Sequence, residues 1–143
     1  GHSGTDRMMP LSGLTCPSTG SQTGIWFKGV EGLGGASVLM NASTQAQIHY
    51  LFDDVGMPRW LFAQDLDNPA PSNSEVPMLQ FSGYCAVCDS GTVSNEAVGV
   101  LARSFSSETA GSWTLDYLFK APLSGSVERT DSIVKLTDTL PCQ

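Results

Sequence analysis

Apolar and polar residues alternate with a period of two along most of this chain. Between residues 45 and 54 the even positions hold Ala46, Ile48, Tyr50 and Phe52, and the odd ones Gln45, Gln47, His49, Leu51 and Asp53. Successive side chains of a strand point to opposite faces, so the pattern predicts a strand whose even face is buried and whose odd face is mostly wet. Residues 112–120 repeat the design, with Trp113, Leu115, Tyr117 and Phe119 set against Ser112, Thr114, Asp116 and Lys120. Pro77, Leu79 and Phe81 alternate more weakly with Met78, Gln80 and Ser82. Residues 24–28, 36–40, 59–64, 97–105, 123–127 and 132–137 read as further strands. No segment carries apolar residues at spacings of three and four over three turns, and Pro69 and Pro71 argue against a helical turn over residues 70–75.

Turn residues separate these runs. Asp53-Asp54-Val55-Gly56-Met57-Pro58 is the strongest turn. Gly56 takes positive φ without a steric cost, and Pro58 cannot donate to a ladder, so it marks the start of a strand. The flanking strands are expected to pair as an antiparallel hairpin. Residues 65–76 read as one long surface loop, and Gly111 and Gly125 punctuate later turns. Short strands with frequent turns and no crossover helix predict an all-β fold. The expected architecture is an antiparallel up-and-down meander of about eight strands, barrel-like, with a two-sheet β-sandwich as the alternative. Residues 1–21 read as a leader: Gly1-His2-Ser3 resembles a cloning remnant, and a linker rich in Gly, Ser, Thr and Pro follows. Residues 22–143 then form one all-β domain.

Composition narrows the function classes. The chain has 143 residues, 41% hydrophobic and 15% charged, enough apolar material for one core. Seven Lys and Arg against 14 Asp and Glu give a net charge of −7, which argues against nucleic acid as a partner. No apolar run approaches the roughly 18 residues of a membrane-spanning helix. The four cysteines, Cys16, Cys85, Cys88 and Cys142, suit an oxidising compartment, so a secreted, cell-surface or periplasmic location is expected. The favoured pairing is Cys16–Cys142 with Cys85–Cys88. In the chain-entropy model the long loop closed by the first pair is worth about 4–5 kcal/mol. Cys85-Ala86-Val87-Cys88 also has the spacing of a redox dithiol or half a zinc site, with His49 as a third zinc ligand.

Catalytic chemistry is thinly represented. His49 is the one histidine outside the leader, and a nucleophile pair with a Ser or Cys would need it. There is no Gly-x-Ser-x-Gly elbow. Asp53 and Asp54 fit turn chemistry, and Asp65-Leu66-Asp67-Asn68 offers oxygen ligands without the twelve-residue loop of a calcium hand. The glycines at 32, 34 and 35 lead into no helix and suit a tight turn better than a phosphate cradle. No cofactor is called for. Asn41-Ala42-Ser43 matches a glycosylation sequon. The aromatics carry more information: Trp26, Trp60 and Trp113 open predicted strands, and Arg59 stands beside Trp60. Each Trp is either core or a ring that stacks on a sugar or anchors a peptide.

Gly24-Ile25-Trp26-Phe27, the glycine turn 32–35 and the run from Tyr50-Leu51-Phe52-Asp53 through Gly56-Met57-Pro58-Arg59-Trp60 resemble a β-rich domain of unknown function. That domain recurs in secreted and surface proteins of gammaproteobacteria. The resemblance implies export and a non-catalytic role. Gly24-Ile25-Trp26 is also similar to the opening of calycin barrels, the lipocalin- and avidin-like folds, in which this Trp packs near the closed end against an Arg of the last strand. Arg129 is the counterpart that likeness implies, with Lys135 deeper in the strand. The leading expectation is a secreted, non-catalytic module contacting a glycan or protein surface through Tyr50, Arg59, Trp60 and Trp26. The alternatives are a calycin-like barrel holding a small apolar ligand, and a small hydrolase or hydrolase inhibitor.

Overall fold

Eight antiparallel strands follow one another in chain order and close into a barrel. The structure is a computed structural model, and it describes residues 4, 22–29, 34–40, 45–65, 75–83, 87 and 92–137. The strands are β1 (Gly24–Phe27), β2 (Gly35–Met40), β3 (Gln45–Phe52), β4 (Pro58–Asp65), β5 (Glu75–Ser82), β6 (Ser94–Phe105), β7 (Ala110–Leu118) and β8 (Ser126–Lys135). Every neighbour in sequence is a neighbour in space, and β1 pairs with β8 at Trp26↔Lys135 and Phe27↔Val134. That last pairing makes the fold a barrel and not a sandwich, because a closed ladder leaves no sheet edge to cover. There is no helix among the described residues, and none long and apolar enough to cross a membrane.

The interior is packed with side chains. Trp26, Leu61, Met78, Leu101, Leu115 and Ile133 are fully buried, with Trp113, Tyr117 and Phe119 beside them. Trp26 packs on Phe105 with ring centroids 5.0 Å apart, and its Nε1 donates to the Gln22 carbonyl at 2.7 Å. Arg129 does not serve as the calycin-type partner of this Trp. Its Nε donates to Asp131 at 2.7 Å, and the basic residue in register with Trp26 is Lys135. Gly99 is required for contact between strands: a Cβ there would lie 2.0 Å from the Asp116 carbonyl oxygen of β7. Beside it, Val98 is the extra residue of a bulge, since Met78 pairs with Gly99 and Leu79 with Ala97.

Three sequence expectations change. On β3 the buried face is the odd one, with Gln45, Gln47, His49 and Leu51 inside and Tyr50 and Phe52 exposed. The hairpin register carries the inversion to β4, where Leu61 and Ala63 point inward and Trp60 and Phe62 outward, and β5 likewise buries Val76, Met78 and Gln80. The reason is volume. An eight-stranded barrel is only wide enough to be filled by side chains, and two Trp, Tyr117 and Phe119 already occupy it. The third change is that residues 123–127 and 132–137 are not two strands. One strand, β8, runs between them, and its inward positions Arg129 and Asp131 interrupt the apolar rhythm. The four cysteines, the sequon, the leader to residue 21 apart from Gly4, and residues 66–68 of the acidic cluster lie outside the described residues.

Candidate functional site

The β3–β4 hairpin is built around one carboxylate. Asp53 Oδ1 accepts the N–H groups of Val55 (3.1 Å) and Met57 (2.8 Å), and Oδ2 accepts Arg59 Nε at 2.9 Å. Gly56 supplies the positive φ of 78° that closes the turn. Burial pushes the Asp53 carboxyl upward, but the Met57 N–H, the Arg59 guanidinium and the Val55 N–H outweigh it and hold it below its ordinary value. Arg59 is thereby oriented through Nε alone. Its two Nη groups hold no hydrogen bond among the described residues.

Around this hairpin the barrel carries aromatic rings on its outside. Tyr50 lies opposite Trp60, Ile48 opposite Phe62, and Phe62 opposite Leu79. Tyr50, Phe52 and Trp60 are each about half exposed. Phe81 stacks on Trp60 with centroids 5.6 Å apart and planes 27° apart, and Phe62 meets Phe81 edge-on at 6.1 Å. The Tyr50 hydroxyl is 3.2 Å from Ser37 Oγ. Beside Trp60 a pocket of about 390 Å³ runs to the barrel mouth, lined among others by Arg59, Gln80, Phe81, Pro122 and Leu123. Its far wall is tied down. Gln80 Nε2 donates to the Lys120 carbonyl at 2.9 Å, and Gln80 Oε1 accepts the Lys120 N–H at 3.0 Å. Ser124 Oγ donates to Asp54 Oδ1 at 2.5 Å, and the Asp54 N–H donates to the Ser124 carbonyl at 3.2 Å.

A second polar group lies within the barrel. His49 Nε2 meets Gln47 Oε1 at 3.0 Å, and its ring packs edge-on against Trp113 at 4.8 Å. His49 Nδ1, Gln47 Nε2 and Trp113 Nε1 are buried without a hydrogen-bond partner. Burial, assisted by the positive charge of Arg103, pushes the His49 pKa down to about 3, so the ring is neutral near pH 7. Arg103 is itself enclosed. Its guanidinium bonds Gln45 Oε1 and lies 3.9 Å from Asp65, and burial pulls its pKa down, Asp65 opposing. At β8, Asp131 accepts Lys28 Nζ (3.0 Å) and Arg129 Nε (2.7 Å). Burial raises the Asp131 carboxyl, and those two bonds more than reverse it.

This arrangement does not equip His49 for nucleophilic catalysis, and the Cys85 and Cys88 of the expected zinc site lie outside the described residues. The imidazole is sealed from solvent, and neither ring nitrogen bonds a hydroxyl. Among the described residues no three His, Cys, Asp or Glu side chains gather as a metal would need. Of the four residues singled out as contacts, Tyr50, Arg59 and Trp60 share one hairpin. Trp26 does not join them, being fully buried. Phe81, Gln80, Pro122 and Leu123 complete the pocket and were not singled out. Pro122 and Leu123 are more than sixty residues from Trp60, and no local pattern announces such a meeting. The Asp53–Arg59 bond had a signal in the turn, a carboxylate and a cation six residues apart around Gly56 and Pro58. No protein-family model, no curated protein and no solved structure matches this chain.

Proposed function

We propose that this protein is a secreted, non-catalytic binding module that contacts a glycan or protein surface through the outer face of β3, β4 and β5. The observation that carries this reading is the half-exposed Trp60, fixed by Phe81 and next to Tyr50, beside a pocket edged by Arg59. Exposed aromatics cost solubility, and a contiguous group of them is the usual mark of a contact surface. The filled interior favours this outer face over a small apolar ligand held within the barrel. Burial of His49 favours contact over turnover. Export is supported by the four cysteines and the −7 balance, and by the resemblance to the exported β-rich domain.

Glycan arrays and pull-downs from surface extracts test the reading, run with wild type and with a Tyr50→Ala/Trp60→Ala variant. Capture by wild type that the double variant loses supports it. Capture of neither glycan nor protein by wild type overturns it. Thiol titration before and after reduction of the protein isolated from its own cells tests export: four free thiols would count against it.

A further inference from the structure

We infer that the opening between β4 and β5 is a binding site for an uncharged sugar ring, which stacks on Trp60 and accepts hydrogen bonds from the Arg59 guanidinium. The inference rests on the binding-module reading and narrows its ligand.

The barrel wall is open at this point. β4 and β5 are eight residues each, yet they pair only at Phe62↔Leu79 and Ala63↔Met78. On its other side β4 stays paired with β3 as far as Phe52↔Pro58, and β5 stays paired with β6 as far as Ser82↔Ser94. The ladder between them is confined to those two pairs, and it is missing between residues 58–61 and 80–82 as it is between 64–65 and 75–77. The pocket of about 390 Å³ lies beside that interval, walled by the stacked pair Trp60 and Phe81 together with Arg59, Gln80 and Leu123. This volume is at the small end of small-molecule sites, about 300–1,000 Å³. It suits one or two rings and not a protein domain.

The lining selects the chemistry. Trp60 offers a flat apolar surface held in place by Phe81, so little conformational entropy is lost on stacking. Arg59 offers donors only, and its orientation is set beforehand by Asp53. A ring with an apolar C–H face and hydroxyl or carbonyl oxygens on its edge matches both. Charge argues that the ring is neutral. Arg59 is already compensated by Asp53, Lys120 pairs with Glu96, and Asp54 adds a further negative charge at the mouth. A carboxylated sugar would meet a net negative rim on a chain of charge −7.

The test is a heteronuclear NMR titration of the whole chain with neutral hexose and N-acetylhexosamine oligosaccharides, and with uronate oligomers of matched length. The expected result is saturable binding of a neutral series, with shifts centred on residues 58–60, 80–83 and 122–123. Affinity should fall about tenfold or more in Trp60→Ala and in Arg59→Gln. Trp60 is half exposed, so Trp60→Ala keeps its fold, which its amide spectrum verifies even if Arg59→Gln loosens the hairpin. Preference for the uronates overturns the inference. So does glycan binding that maps elsewhere or survives Trp60→Ala, or a protein partner in place of any glycan; in those cases the binding-module reading stands. Absence of both glycan and protein binding removes the inference and the reading together.

Discussion

The walls β7–β8 and β3–β4 are built from the same alternating pattern and use it in opposite senses. On β7 the large residues Trp113, Leu115 and Tyr117 point inward, and Ser112, Thr114 and Asp116 point to solvent. On β8 the outward positions are Ser126, Glu128, Thr130 and Ser132, and the Thr114 and Thr130 hydroxyls meet across the strands at 2.7 Å. On β3 and β4 the large rings of Tyr50, Phe52 and Trp60 face outward, and the inside receives Gln45, Gln47, His49 and small Ala63. Alternation therefore separates two faces without deciding which is the core. One wall spends its aromatic area on stability, the other exposes it. The difference teaches that the period of an apolar stripe does not fix its side, and that exposing the rings of β3 and β4 goes together with taking polar groups inside.

If the inward face of β3 is the polar one, acid should destabilise the protein in a window that carboxylates do not explain. His49 has its pKa lowered from 6.5 to about 3. Above 6.5 it is neutral folded or unfolded, and stability is complete. As pH falls through 6.5 the unfolded chain takes up a proton that the folded chain refuses, and stability is lost until pH reaches about 3. The loss is on the order of 5 kcal/mol over the whole span, roughly 3 of it above pH 4.5. Asp53 and Asp131 are held below their ordinary 3.8, so their contributions are lost only at lower pH. Urea unfolding between pH 7 and 4.5 measures the His49 effect. A His49→Gln variant should flatten the curve, and a flat wild-type curve would mean that water reaches this ring.

Truncating the core side of the other wall should come next in size. Leu115→Ala removes a fully buried side chain, and about 2–5 kcal/mol of unfolding free energy is expected to go with it. A loss below 1 kcal/mol would place Leu115 outside the core. Asp53→Ala unties Val55, Met57 and Arg59 together. Its melting temperature should fall less than that of Leu115→Ala and more than that of Asp54→Ala, which differential scanning calorimetry resolves. The smallest effect belongs to the exposed rings. Trp60→Ala should cost about 1 kcal/mol or less in stability while abolishing ligand capture. A large stability loss with capture intact would reassign Trp60 to packing.

Much of this was legible in the chain. The hairpin at residues 53–58 was marked by Asp53, Gly56 and Pro58, whose backbone preferences act within a few residues. The meander followed from short strands with turn residues between them. The sense of β3 was not legible, because a slip of one residue exchanges its faces and only the neighbours' volumes choose between them. The continuity of β8 was hidden by Arg129 and Asp131, inward residues whose charges are matched by each other and by Lys28, a hundred residues earlier. The pocket was hidden for a similar reason, since Trp60, Phe81 and Leu123 come from three separate parts of the chain.

By itself the sequence determined the strand class, the main turns and the presence of aromatic stripes, because these depend on backbone preferences and on a two-residue period within one segment. Tertiary structure decided the closure between β1 and β8, which stripe faces water, and where β4 parts from β5. Those outcomes depend on how much side-chain volume a closed ring of eight strands can hold, a quantity that belongs to all the strands together and to none alone.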